Sequence, residues 1–351
     1  MVRWFGLALL LTSACTVYEL ESEGDIYRPR VLAMKIEPPE ARIGDTVRVT
    51  PLVALPVGFD GVIDSTWLDC ERLDDEGGDG GESRDWCRDR SRERVISTAD
   101  ELVYAVPETL PQEEVEQFNF VAGYWKRLTL EIKDRLGGEQ DRAFKRLVVK
   151  PAPNPADPTA DQFFEMTRNR NPVLPPLEVF TLDAQNVLTP VAEEAALQAN
   201  TDYLFRLAID KVHRQDFQAL RIDFTGVDPS QADSLTPEEI EERVRIEERR
   251  ERMNMRFYRT DGRFGADQKP VRTFDSTAEE PEYYPVEVTW ALNTQGRTEA
   301  VPARVRLWFV VADGRGGMDW VTLDRPLELG AAPARSVEQG IKSPPDLRRD
   351  D

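Results

Sequence analysis

Arg304-Val305-Arg306-Leu307-Trp308-Phe309-Val310-Val311-Ala312 is the stretch that decides the fold class. It opens with polar and apolar residues in alternation and closes on an unbroken apolar run, the pattern of a strand in the centre of a sheet. Leu128, Leu130 and Ile132, interleaved with Thr129, Glu131 and Lys133, read as a second strand with one buried and one wet face. Working outward, similar short runs lie between turn signals at 30–36, 47–53, 62–70, 102–106, 127–133 and 142–150. They resume at 177–183, 202–211, 220–225, 253–259, 286–292, 303–312 and 320–327. Glycine-bearing turns such as Gly44-Asp45 and Gly137-Gly138 separate them. Many short strands so punctuated predict an all-β chain built of sandwiches.

The clearest break is Pro151-Ala152-Pro153-Asn154-Pro155-Ala156-Asp157-Pro158, where repeated proline removes ladder donors and stiffens the backbone. The expected layout is two tandem β-sandwich domains, 30–150 and 172–330, hinged at a proline-rich linker over 151–171 and followed by a disordered tail over 331–351. One helix is expected to interrupt the second domain. Thr236-Pro237-Glu238-Glu239 combines a cap, proline at the first helical position and glutamate three residues after the cap, and the Glu/Arg-rich run to about residue 252 suits i to i+4 pairing on a surface helix.

At the amino end, Arg3, the apolar run from Trp4 to Leu11 and then Leu11-Thr12-Ser13-Ala14-Cys15 read as a signal peptide over 1–14 that ends at a cysteine. The small residues before Cys15 resemble the lipobox of bacterial lipoproteins. That resemblance implies cleavage before Cys15, acylation of its thiol and a tether over 15–29. Thr16, by resemblance to sorting rules, implies release to the outer membrane. No later apolar run approaches the roughly 18 to 20 residues that cross a bilayer, so acyl chains would be the only membrane attachment.

With Cys15 assigned to lipid, Cys70 and Cys87 remain as one even pair in an exported chain, which reads as a disulfide. They flank the acidic, glycine-rich stretch from Asp74 to Glu82, and closing a loop of that size contributes about 3 kcal/mol in the chain-entropy picture. The net charge is −20. Such a balance argues against nucleic acid and adsorption to anionic lipid as partners, and favours solubility and a basic or cation-bridged partner; the partner expected is a protein or polysaccharide of the envelope.

Val31-Leu32-Ala33, Glu37-Pro38-Pro39-Glu40-Ala41-Arg42 and Gly44-Asp45-Thr46-Val47 resemble the opening of immunoglobulin-like repeats in exported bacterial proteins. Asn171-Pro172-Val173, Met255-Arg256-Phe257-Tyr258 with Asp261-Gly262-Arg263-Phe264, and the run from Val305 to Gly317 resemble uncharacterised lipoproteins of myxobacteria. The resemblance implies two immunoglobulin-like domains and an envelope address. It brings no catalytic residues.

The chain holds one histidine, His213, in Lys211-Val212-His213-Arg214, without a nucleophile elbow, a metal motif or a glycine-rich phosphate loop around it. Asp313-Gly314-Arg315-Gly316-Gly317-Met318-Asp319 could be taken for a calcium loop, but it lacks the alternating ligand series, and a hairpin turn is the better reading. No cofactor and no metal are expected. Trp67 and Trp308 read as core. Tyr124, Trp125, Tyr283 and Tyr284, beside polar or proline-rich turns, are the candidates for ligand contact on the surface. The expected function is a non-enzymatic binding or scaffolding module for another envelope protein, with carbohydrate or peptidoglycan binding as the alternative and a carboxylate-based hydrolase third.

Overall fold

In the computed structural model, residues 24–70, 93–108, 124–150, 168–223, 225, 243–271, 281–298 and 300–330 are described. The first eight strands are β1 (Arg30–Glu37), β2 (Glu40–Arg42), β3 (Thr46–Ala54), β4 (Ile63–Cys70), β5 (Glu93–Ser97), β6 (Leu102–Ala105), β7 (Tyr124–Asp134) and β8 (Gln140–Lys150). They form a three-stranded sheet, β1-β3-β6, and a five-stranded sheet, β2-β8-β7-β4-β5. Alternation sends Val47 and Val49 of β3, Trp67 of β4 and Leu128, Leu130 and Ile132 of β7 into one buried cluster between the two.

The remaining strands are β9 (Glu178–Leu182), β10 (Leu188–Pro190), β11 (Leu197–Gln198), β12 (Asp202–Asp210), β13 (Asp216–Ile222) and β14 (Val244–Arg250). They continue as β15 (Asn254–Arg259), β16 (Arg263–Phe264), β17 (Gln268–Pro270), β18 (Tyr283–Ala291), β19 (Arg304–Ala312) and β20 (Met318–Glu328). Sheets β10-β9-β12-β18-β16 and β11-β20-β19-β15-β17 enclose a second core, where Phe205, Phe257, Phe264, Phe309 and Trp290 meet at tilted or edge-on angles.

The two sandwiches share one strand order. In each, a short strand after the first long one crosses to the other sheet and pairs in parallel with the last strand, β2 with β8 (Glu40↔Val148) and β11 with β20 (Leu197↔Leu327). The residue that turns the chain from that short strand into the next has positive φ in both, +83° at Gly44 and +64° at Asn200, the conformation that glycine and asparagine tolerate. The penultimate and last strands are joined by the same device twice. Asp134 accepts the backbone N–H groups of Leu136 and Gly137, and Asp313 those of Arg315 and Gly317. The sequences Asp134-Arg135-Leu136-Gly137-Gly138 and Asp313-Gly314-Arg315-Gly316-Gly317 thus share the pinning aspartate, although the second turn closes one residue sooner.

The predicted helix over 236–252 is corrected where it is described. Residues 244–250 are β14, antiparallel to β13 with Leu220↔Ile246 and Ile222↔Val244 in register. Val244 and Ile246 are two residues apart, the strand period, and the charge pairing that suits a helix surface is cross-strand pairing instead, as between Arg250 and Asp216 at 2.8 Å. Residues 236–242 lie outside the described residues.

The sandwiches do not hang from each other by a linker alone. Trp308 and Val310 of β19 and Tyr258 of β15 point away from their own core and close on Ala33 of β1, Leu52 and Ala54 of β3, and Ile26. The run Leu307 to Val311 is apolar throughout because alternate residues serve two different cores. Gly24 and Ile26 bind the backbone of Arg259 at 2.8 Å each, so the chain touches the second sandwich before it builds the first. Lys35 to Asp319 (3.3 Å) and Asn171 Nδ2 to the carbonyl of Ile36 (2.8 Å) border the cluster. The proline-rich segment 151–158 itself is outside the described residues.

Trp308→Ala should therefore destabilise the whole chain by about 3–5 kcal/mol, as a buried aromatic truncation does. Arg304→Ala on the same strand should stay within about 0.5 kcal/mol. Urea unfolding of both variants checks this, and a Trp308→Ala loss below about 1 kcal/mol would mean that the cluster does not join the sandwiches.

Candidate functional site

Alternation along β18 separates the two tyrosines that sequence placed together on the surface. Tyr283 is 47% exposed, whereas Tyr284 is 1% exposed, its hydroxyl 3.4 Å from Nη1 of Arg214, whose guanidinium lies over the ring. Tyr284 is a core residue and not a contact residue. Tyr124 and Trp125 open β7 opposite Val149 and Val148, and their side chains are outside the described residues. Cys70 ends β4 opposite Glu93 of β5. Cys15, Cys87 and the acidic stretch 74–82 lie outside the described residues. Trp67 is buried and donates from Nε1 to the carbonyl of Ala99 at 2.8 Å.

His213 closes a single 3-10 turn, Lys211–His213, capped by Asp210, which accepts the N–H of Val212 at 2.9 Å. Among the described residues its ring makes no hydrogen bond or ion pair. Among those residues, too, no three His, Cys, Asp or Glu side chains converge to hold a metal.

Two features depart from an ordinary sandwich. The first is the outer face of the sheet β10-β9-β12-β18-β16. Val179, Phe205 and Val288 point into the core, so their neighbours Phe180, Leu204 and Thr289, which share one register row, point out. Leu182 and Leu188, paired, and Pro190, opposite Phe180, widen the row into a partly exposed apolar patch. Arg206 bounds it, its guanidinium 5.0 Å from the Phe180 ring and its Nε 2.7 Å from Glu287. Tyr283 and Pro285 continue the face beyond that ion pair.

The second is a buried ionic junction between the sandwiches. Arg315, carried on the β19–β20 turn, donates to Glu40 of β2 at 3.0 Å and to Glu251 beside β14 at 3.3 Å, and stacks over Phe217 of β13 at 4.6 Å. The Glu251 side chain is fully buried and also accepts the N–H of Gln215 at 3.2 Å. Burial, and then the nearby Asp313 carboxylate, push the Glu251 carboxyl up to about 7, against the opposing pull of Arg315. Burial likewise raises Asp313, although it accepts backbone N–H groups and Nδ2 of Asn169 at 3.3 Å. Lys145 is lowered to about 8 and Lys150 is lowered, both by burial. Asn169 Oδ1 is buried with no partner among the described residues.

Neither feature has a local sequence signal, since Arg315 and Glu40 are 275 residues apart. The turn 313–317 was legible as a turn, but its arginine was not legible as a bridge.

No protein-family model and no curated protein matches the chain. Among solved structures, carbohydrate-binding modules of the β-sandwich superfamily align at 11% identity over 86% of this chain and 97% of theirs, with a TM-score of 0.22. The three N-terminal domains of the outer capsid protein Hoc of bacteriophage RB49 align at 8% identity over 87% and 100%, with a TM-score of 0.20. The four N-terminal immunoglobulin domains of Dscam1 align at 9% identity over 85% and 73%, also at 0.20. At such TM-scores these likenesses carry no argument, and the all-β sandwich description rests on the sheets themselves.

Asp313→Ala should cost about 1–3 kcal/mol, because two turn N–H groups lose their acceptor. Added calcium should leave the melting temperature of the unsubstituted protein unchanged. Calorimetry with and without calcium checks both, and a calcium-dependent rise of the melting temperature would show that the turn's carboxylates serve a metal.

Proposed function

We propose that the chain is a lipid-anchored envelope protein, tethered through Cys15 over residues 15–29, that presents two immunoglobulin-like domains, 30–150 and 172–330, as a non-enzymatic binding module for another protein. The observation that carries this reading is the partly exposed apolar patch of Phe180, Leu182, Leu188, Pro190 and Leu204 on one open sheet face. A contiguous apolar patch with few charges inside it suits a protein partner, which can bury the whole area. The corresponding face of the first sandwich is already occupied in part, since Ala33, Leu52 and Ala54 lie under the second. Membrane attachment through lipid is in keeping with the lipobox-like sequence at Cys15. No helix among the described residues is long and apolar enough to cross a membrane.

A photo-crosslinking residue placed at Leu204 in cells should yield a discrete protein adduct in the membrane fraction, and one placed at the exposed Val103 should not. Cys15→Ser should move the protein out of that fraction. Absence of an adduct at Leu204, or the same adducts from both positions, would refute the binding face. Normal processing and membrane retention of the Cys15→Ser variant would refute the anchor. Retention by sedimented peptidoglycan that is lost in Tyr283→Ala would favour a polysaccharide ligand on the same face.

A further inference from the structure

We infer that Glu251 is a proton-operated catch between the β13–β14 hairpin and the two sandwiches: the junction is tight when its carboxyl is neutral and loosens when it ionises. One guanidinium serves both sides. Arg315 reaches Glu40 of the first sandwich and Glu251 of the second, so the two carboxylates compete for the same cation. Glu251 is also the hinge residue of the hairpin. Its N–H binds the carbonyl of Gln215 at 3.0 Å, its carbonyl accepts Nε of Arg214 at 2.8 Å, and its carboxylate accepts the N–H of Gln215. An isolated two-stranded ribbon is marginal in water and depends on what fixes its base. Here the base is this residue and the Arg315 to Phe217 stack.

The groups facing Glu251 and Arg315 come from every neighbouring element. Glu40 comes from β2, Lys145 and Lys150 from β8, Arg214 and Gln215 from the approach to β13, Asn169 from the entry to the second sandwich, and Asp313 from the turn that carries Arg315. An ionised Glu251 would be a third carboxylate beside Glu40 and Asp313, fully buried, with half a share of one guanidinium. Burial and Asp313 accordingly hold its carboxyl at about 7, above the ordinary value of 4.5.

The sign follows from proton linkage. Between about 4.5 and about 7 the docked state binds more protons than the open one, so docking is strongest at acid pH and weakens as pH rises through 7. Lys145, held near 8, loses its charge just above that range and leaves the carboxylates less compensated still.

The test is a distance measurement across the junction by pulsed electron resonance, on purified full-length protein with spin labels on ketone-bearing residues at the exposed positions 103, on the first sandwich, and 248, on the hairpin. The distribution should be narrow at pH 5.5 and broader at pH 7.5, and Glu251→Gln should keep it narrow at both. Glu40→Gln, which leaves Arg315 to Glu251 alone, should let the docked state tolerate the ionised carboxyl and so reduce the broadening at pH 7.5. A distribution that does not change with pH in the unsubstituted protein overturns the inference without recourse to any variant. Broadening of the same size in Glu251→Gln overturns the assignment to this residue, and undiminished broadening in Glu40→Gln overturns the competition for Arg315.

Discussion

Burial of β19 on both faces is the constraint from which the rest of the architecture follows. A sandwich strand ordinarily needs apolar residues on alternate positions only, because its other face meets water. In β19, Leu307, Phe309 and Val311 fill the core of the second sandwich while Trp308 and Val310 fill the contact with the first. Ordering such a contact requires that the two bodies hold a fixed register. The residues around it supply one: Asn171 reads the carbonyl of Ile36, Arg306 that of Leu55, and Gly24 and Ile26 lie along Arg259.

The duplicated turn shows how environment and not sequence decides what a residue does. Arg135 and Arg315 sit one and two residues after the aspartates that pin the corresponding turns, and both pair with carboxylates. The Arg135 to Asp64 pair is on the surface, where solvent screens it and its contribution is small. Arg315 is enclosed between two sandwiches. Removing one partner of such a pair leaves an uncompensated buried charge and costs about 3–5 kcal/mol, although the pair itself adds little net stability. The cluster is therefore better understood as fixing geometry than as adding stability.

Most long strands were readable because each keeps a two-residue period over a whole element, as Leu128, Leu130 and Ile132 do. The error at 244–250 arose where two signals conflicted. A cap, a proline and dense Glu/Arg favour a helix locally, and over 244–250 the pairing of β14 with β13 overrides that preference. Tyr284 was misplaced for a simpler reason: beside a proline-rich turn, two adjacent tyrosines look equivalent until the strand assigns them to opposite faces. The junction was out of reach altogether. Glu40, Glu251 and the Asp313–Arg315 turn stand in three separate segments, and in a chain with 65 acidic residues no carboxylate is conspicuous.

That same excess of carboxylates bears on where a partner can bind. At a net charge of −20, most of the surface repels acidic proteins and holds water tightly, so the energy of association has to come from places where charge is sparse. The contact between the sandwiches uses one such place, with aliphatic and aromatic side chains at its centre and ion pairs at its edge. The outer face of β9, β10 and β12 has the same composition on a smaller scale: Phe180, Leu182 and Leu204 at the centre and Arg206 with Glu287 at the border. A centre that desolvates readily and a border that rejects misaligned partners is the arrangement that already works within this chain, and the open face repeats it toward solvent.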